Sequence, residues 1–186
     1  MRRGVLALVL VLPAACSRPA PVPPAVVGPV GSPATPSEAT LCGPDEPGER
    51  LTFSGRVLDY QGRPLPGAAV IAYHADRSGL YNPPNSPTRV PRLRGVAVTG
   101  EDGGFQFSTV RPGPYPDASE PAHVHLQVMA PAHRHRYVTY WFEGDPLITA
   151  ERRRKLASDP ELVIVGLSRA PAGGWTFARD IRLEGS

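Results

Sequence analysis

The sequence predicts an all-β protein: an antiparallel β-sandwich with one short helix near the C-terminal third. Three observations carry that expectation. Short apolar stretches with period-two alternation recur from residue 51 onward. Gly, Pro and Asp clusters such as 100-GEDGG-104 fall between them as turn formers. Only one segment has helical texture, and many short strands at this spacing favour a sandwich over a parallel sheet.

Taken in order, the chain begins 1-MRRGVLALVLVLPAAC-16. Two arginines precede an apolar run too short to span a bilayer, and small residues follow. The layout resembles a bacterial lipoprotein signal, in which Cys16 becomes the lipidated first residue of an exported, envelope-anchored protein. Pro13 departs from the usual aliphatic residue of such signals. Plain secretion is the alternative. Residues 17–48 hold nine prolines in 32 positions and are expected to form an extended, solvated spacer. The folded domain is expected over residues 49–186.

From Leu51 an alternating strand leads to a turn at Tyr60-Gln61-Gly62 and a second apolar run from Ala68 to Tyr73. Further strands are expected over 94–100, 104–110, 123–130, 136–142, 162–167 and 175–183. The helix is expected over 149–158, with Thr149 as its cap.

Bulk composition bounds the function. The chain is 41% hydrophobic and 20% charged, ordinary for a globular domain. Lys155 is the only lysine, and no basic stripe is interleaved with aromatics, so nucleic acid is set aside as a partner. With Cys16 and Cys42 the only cysteines, a disulfide scaffold is excluded.

The segment 111-RPGPYPDASEPAHVHLQV-128 carries the chemistry. Residues two apart on a strand share a face, roughly 6.6–6.8 Å apart at Cα, so His123 and His125 can reach one metal ion. Pro112, Pro114, Pro116 and Pro121 stiffen the loop that presents Tyr115. Alone, an H-x-H pair on a strand is as compatible with ordinary packing. His133 and His135 repeat the spacing in a basic turn and read as solvated loop. The 152-RRRK-155 cluster reads as an exposed helical face.

Together with 62-GRPLPGAAVIAYHADRSGLY-81, 102-DGGFQFSTVRPGPYP-116 and 121-PAHVH-125, these residues resemble the intradiol ring-cleavage dioxygenases, over roughly Leu51 to Leu147. The resemblance implies a non-haem Fe(III) cofactor held by two tyrosines and two histidines, here Tyr81, Tyr115, His123 and His125. It also implies a small catecholic substrate, O2, cis,cis-muconate-type products, and homo-oligomers in many members. Tyr81 and Tyr115 take the catalytic positions. Tyr115 and His125 match the axial ligands, Tyr115 being the tyrosinate that leaves when catechol chelates. Two phenolates suit a ferric ion, since hard anionic oxygen donors favour the higher oxidation state.

Leu80, Asn82, Arg94, Glu120 and Thr139 are candidates to line the substrate pocket. Two of them depart from the family pattern. Glu120 stands where an arginine is usual, placing a carboxylate where it repels a catecholate. Thr139 stands where a glutamine is common, which predicts a lost contact. Two other readings stay open: a non-catalytic transthyretin-like or carboxypeptidase-regulatory-like module, suggested by 55-GRVLDYQGRPLPGAAV-70, and an iron-binding but inactive relative.

Overall fold

The computed structural model describes residues 37–186. The expected signal, Cys16 and most of the proline-rich stretch lie outside the described residues. Eleven strands and one helix run β1 (Glu38–Thr40), β2 (Arg50–Asp59), β3 (Ala69–His74), β4 (Leu93–Val98), β5 (Gly104–Val110), β6 (His123–Met129), β7 (Arg136–Phe142), α1 (Ala150–Leu156), β8 (Leu162–Val165), β9 (Ser168–Arg169), β10 (Trp175–Ala178) and β11 (Ile181–Leu183).

They form two sheets, β1-β5-β2-β10-β9 with β11 also on β2, and β4-β3-β6-β7-β8. The sandwich is the one the alternation predicts. Its central pairings are antiparallel, whereas β1 on β5, β10 and β11 on β2, and β8 on β7 are parallel. Between the sheets, Phe53 stacks on Phe107 and Phe177 at centroid distances of 5.2 and 5.3 Å, and Tyr140 meets Phe177 edge-on at 5.2 Å. Fully burying a side chain of this kind stabilises the fold by about 1.5–3 kcal/mol.

Three boundaries differ from expectation. Residues 38–41 are part of the sandwich rather than of a solvated spacer, because β1 pairs with β5 and Leu41 is buried in the core. The stretch 175–183 is two strands. At the break, the Arg179 N–H donates to the Ser54 carbonyl, and the Asp180 carboxylate replaces a ladder carbonyl by accepting the Arg56 N–H at 3.0 Å. The helix is shorter than expected but is capped as expected, with the Thr149 side chain accepting from the Arg152 N–H.

What positions the site is the second sheet. On β6, Val124, Leu126 and Val128 point inward, so His123, His125 and Gln127 point outward. Register sets Arg94, Tyr73, His125 and Thr139 in one row across β4, β3, β6 and β7. The next row reads Val96, Ile71, Gln127, Tyr137. Residues directly opposite share a face, so both rows belong to the outer surface.

Candidate active site

The histidine half of the site is built on β6. The His123 Nδ1 lies 2.7 Å from the Pro121 carbonyl. A carbonyl only accepts, so Nδ1 carries the proton and Nε2 keeps its lone pair. Buried Asp145 holds the entry to this strand, accepting the Ala122 N–H at 3.0 Å and the Leu147 N–H at 2.9 Å. His125 Nδ1 lies 3.0 Å from the Thr139 hydroxyl on the neighbouring strand. The contact expected to be lost at Thr139 is therefore made, and Thr139 stands behind His125 rather than in the open cleft.

The tyrosine half is built on two loops. After β3, the Asp76 carboxylate accepts the Ser78 and Leu80 N–H groups at 2.8 and 3.1 Å, folding a tight turn that ends in Tyr81. Gly79 sits at φ +78°, and a Cβ there would lie 2.0 Å from the Pro114 carbonyl oxygen. A Cβ on Gly113 would lie 2.2 Å from the Arg77 carbonyl oxygen. The two loops thus interlock through two glycines, which is what carries Tyr81 and Tyr115 to the same place. The Arg92 guanidinium spans Glu46 at 2.6 Å and Asp76 at 3.0 Å, tying the turn to the β1–β2 connection. Tyr115 itself is held by its N–H donating to the Glu120 carbonyl at 3.1 Å.

All four predicted donors meet. The Tyr115 and Tyr81 hydroxyl oxygens are 3.1 Å apart, and the Tyr81 hydroxyl is 3.3 Å from His123 Nε2. The His123 and His125 ring centroids are 4.6 Å apart, and His125 stacks with Tyr81 at 6.4 Å. Since His123 Nε2 can only accept, Tyr115 donates to Tyr81 and Tyr81 donates to His123. Burial, followed by the hydrogen bond from Tyr115, pushes the Tyr81 phenol well above its ordinary range. The Glu120 carboxylate adds to this by repulsion. Burial and then the neighbouring His123 push His125 down to about 4. Near neutral pH the Tyr81 phenol is protonated and the His125 imidazole is neutral. Among the described residues no cluster of three or more His, Cys, Asp or Glu side chains could hold a metal ion.

The remaining predicted residues fall around this centre. Asn82 and Arg94 line a cleft of about 1210 Å³ that includes Tyr73, Tyr81 and His125. Leu80 borders a smaller recess with Tyr81 and Tyr115. Three arginines of the neighbouring sequence, Arg111, Arg134 and Arg136, are engaged elsewhere. Arg111 lies over Trp175, Arg134 faces Glu184, and Arg136 donates to the Arg182 and Pro160 carbonyls. A cation from the helix reaches the residue before Glu120. Arg152 donates to the Ser119 carbonyl at 2.7 Å and lies 5.4 Å from the Trp141 ring centroid, so it is not simply part of an exposed face. His135 stays exposed, and His133 bonds only its own turn, at the Pro131 carbonyl.

A family model described as dioxygenase matches residues 26–185, nearly the whole chain. The chain belongs to this dioxygenase family. Chlorocatechol 1,2-dioxygenase of Rhodococcus opacus is 35% identical over 126 residues, 58% of this chain and 49% of that enzyme. Hydroxyquinol 1,2-dioxygenase of Rhizobium sp. (strain MTP-10005) is 35% identical over 147 residues, 68% of this chain and 49% of that enzyme. The chain spans about half the length of the curated relatives it matches. A solved dioxygenase domain, from a dioxygenase–carbohydrate-binding fusion of the cellulolytic bacterium Streptomyces sp. SirexAA-E, is of similar extent. It superposes with a TM-score of 0.63 at 28% identity, covering 86% of this chain and 96% of that one. The 3-chlorocatechol 1,2-dioxygenase of Rhodococcus opacus 1CP shares the fold at a TM-score of 0.66 and 23% identity, covering 87% of this chain and 71% of that one.

Proposed function

We propose that this dioxygenase family member is a non-haem Fe(III) enzyme that opens catechol rings between the two hydroxylated carbons, giving cis,cis-muconate-type diacids. The observation that carries the reading is the convergence of Tyr81, Tyr115, His123 and His125. Nitrogen and oxygen ligands about 2.0–2.2 Å from a shared first-row cation, at angles near 90–110°, lie roughly 2.9–3.5 Å apart. The hydroxyl pair at 3.1 Å and the Tyr81–His123 contact at 3.3 Å fall in that range. Two hard oxygens and two imidazoles are a donor set suited to a ferric ion. Relatives named as chlorocatechol and hydroxyquinol 1,2-dioxygenases support the substrate class.

When bound, the ferric ion supplies Lewis acidity that favours the catechol dianion and its reaction with O2. The protein's own groups do the rest. The Tyr81 phenol, raised by burial, would release its proton to solvent only when a cation takes its place on the oxygen. Iron uptake therefore releases protons and strengthens as pH rises. His123 and His125 are oriented by the Pro121 carbonyl and the Thr139 hydroxyl, which occupy their Nδ1 atoms. Tyr115, on the proline loop with its hydroxyl 3.1 Å from that of Tyr81, would lose its proton on binding the ion and, as the phenolate, would be placed to take one back from the incoming catechol.

The test is a visible absorption spectrum of the iron-loaded protein, before and after anaerobic addition of catechol. A tyrosinate-to-iron charge-transfer band that shifts with catechol is expected. A protein that stays colourless after iron loading would falsify the reading and leave the non-catalytic sandwich module. We also propose export and lipid anchoring through Cys16, which lies outside the described residues. Incorporation of labelled fatty acid that is lost in Cys16→Ser is the expected result.

A further inference from the structure

We propose that the site takes catechols extended by an anionic side chain or second ring, in preference to catechol itself. This rests on the dioxygenase reading and goes beyond it in naming the substrate class. The first observation is size. The cleft that opens from Tyr81 and His125 holds about 1210 Å³. Pockets for drug-sized ligands span about 300–1,000 Å³, so a single catechol ring fills a small part of this one.

The second is the chemistry of the walls. The loop between Tyr81 and Arg92 contains Pro83, Pro84, Pro87 and Pro91, and it is closed at its base by the Arg92 N–H donating to the Tyr81 carbonyl at 3.2 Å. It is a stiff wall of preset shape rather than a flap. Its Arg89 and, across the cleft, Arg94 are the charged lining residues, and no carboxylate lines the cleft. Neither guanidinium has an ion-pair partner among the described residues. Glu120, whose backbone carbonyl accepts from Tyr115, is not among the residues that line the cleft. An anionic substituent is therefore repelled on the Tyr115 side and attracted on the Arg94 side. Arg94 lies two strands from His125 in the same row, roughly 9–10 Å away at the backbone. A carboxylate carried on a short side chain spans that distance more easily than one attached to the ring.

The third is exposed apolar surface. Among the described residues four large hydrophobic side chains are exposed, and three of them flank this cleft. Val90 (58% exposed) lines it, while Val96 and Tyr137 (51%) share the outer-face row of its floor residue Gln127. Uncovered apolar side chains grouped beside a cleft suit the body of a larger ligand.

The experiment compares oxygen uptake by the iron-loaded protein with catechol, 4-propylcatechol and 3,4-dihydroxycinnamate. In parallel, calorimetry on the iron-free protein measures binding of 4-hydroxycinnamate, which cannot chelate through two oxygens. We expect kcat/KM for 3,4-dihydroxycinnamate to exceed that for catechol at least tenfold, with 4-propylcatechol between them. Arg94→Ala and Arg89→Ala should each cut that ratio several-fold and weaken 4-hydroxycinnamate binding in step. Tyr137→Ser should lower the advantage of 4-propylcatechol. Equal or better turnover of catechol overturns the inference and leaves the dioxygenase reading standing. Arginine-dependent binding of 4-hydroxycinnamate without turnover of any catechol sinks the dioxygenase reading instead. A ratio indifferent to both arginines, with Tyr137→Ser dissociating a dimer, overturns the inference by making the apolar face a contact between copies.

Discussion

The two faces of the second sheet carry the same residue type to opposite ends. On the inner face, His74 uses both ring nitrogens: Nδ1 donates to the Ala75 carbonyl at 2.6 Å, and Nε2 faces the Thr109 hydroxyl at 2.8 Å. It is fully buried and has nothing left to offer a metal. On the outer face, His123 and His125 each commit Nδ1 to the protein, and His123 Nε2 faces the Tyr81 hydroxyl. The two outer-face histidines can serve as ligands, in the proposed reading, because neither spends both ring nitrogens on the fold. The strand fixes that orientation. The tyrosines, carried on loops, need the glycine interlock and the Asp76–Arg92–Glu46 network to reach the same point.

The largest expected effect comes from breaking the loop half alone. In Gly79→Ala the new Cβ meets the Pro114 carbonyl at 2.0 Å, and the residue must also hold φ +78°. Backbone must shift, since a carbonyl cannot rotate away as a side chain does. We expect the charge-transfer band to disappear at iron concentrations that saturate the parent, with far-UV circular dichroism retained. Stability should fall by about 1–3 kcal/mol. A variant with the parent's band would show that the tyrosines reach the iron without the interlock.

The inner face should be visible as pH dependence of stability. Burial holds His74 at about 4, against 6.5 for the unfolded side chain. Between those values the unfolded chain binds the proton and the folded one does not. Stability is therefore full above about pH 6.5 and falls as pH drops toward 4, by roughly 3 kcal/mol in all. His125, lowered by burial to a similar value, has the same sign in iron-free protein. Chemical unfolding of iron-free His74→Gln between pH 7.5 and 5 should show about half the parent's slope. An unchanged slope would place the titration elsewhere.

Thr139→Val tests the outer face at its weaker support. It removes the hydroxyl 3.0 Å from His125 Nδ1 while keeping the shape. Losing such a support costs about 10-fold to 100-fold in metal affinity, the smaller figure being expected here because three other donors remain. Competition with a chelator, read by the charge-transfer band, measures it. Thr139→Ser should recover most of the loss, which a purely steric role for Thr139 would not explain.

These contrasts also show what the sequence could carry. Period-two alternation exposed the interior of β2, β3, β5, β6 and β7, because one face of each meets the core. The three-residue β1 was illegible among prolines, as its pairing with β5 depends on residues some 68 positions away. The spacing of His123 and His125 placed them on one face, but only resemblance joined Tyr81 and Tyr115 to them. Residue type could not show that His74 spends both nitrogens, or that Arg152 turns back from α1 to the Ser119 carbonyl. Nor could it show that Arg92 joins Glu46 to Asp76, since each contact is made by chain remote in sequence.

Glu120 gives the smallest effect and the finest comparison, because its side chain acts on the loop half through its field. Its carboxylate raises the Tyr81 phenol after burial and the Tyr115 contacts have done most of the work. In Glu120→Gln that repulsion goes and the phenol proton leaves more readily. Half-saturation of the iron band, at fixed iron, should then move to lower pH by less than one unit, worth under about 1.4 kcal/mol. The backbone carbonyl that accepts from Tyr115 is kept, so the loop should not move. Glu120→Arg should move the profile further in the same direction and lower KM for catechol, which binds as an anion. If the arginine variant leaves both unchanged, charge at position 120 does not govern the site, and Arg152 beside Ser119 is the cation to remove next.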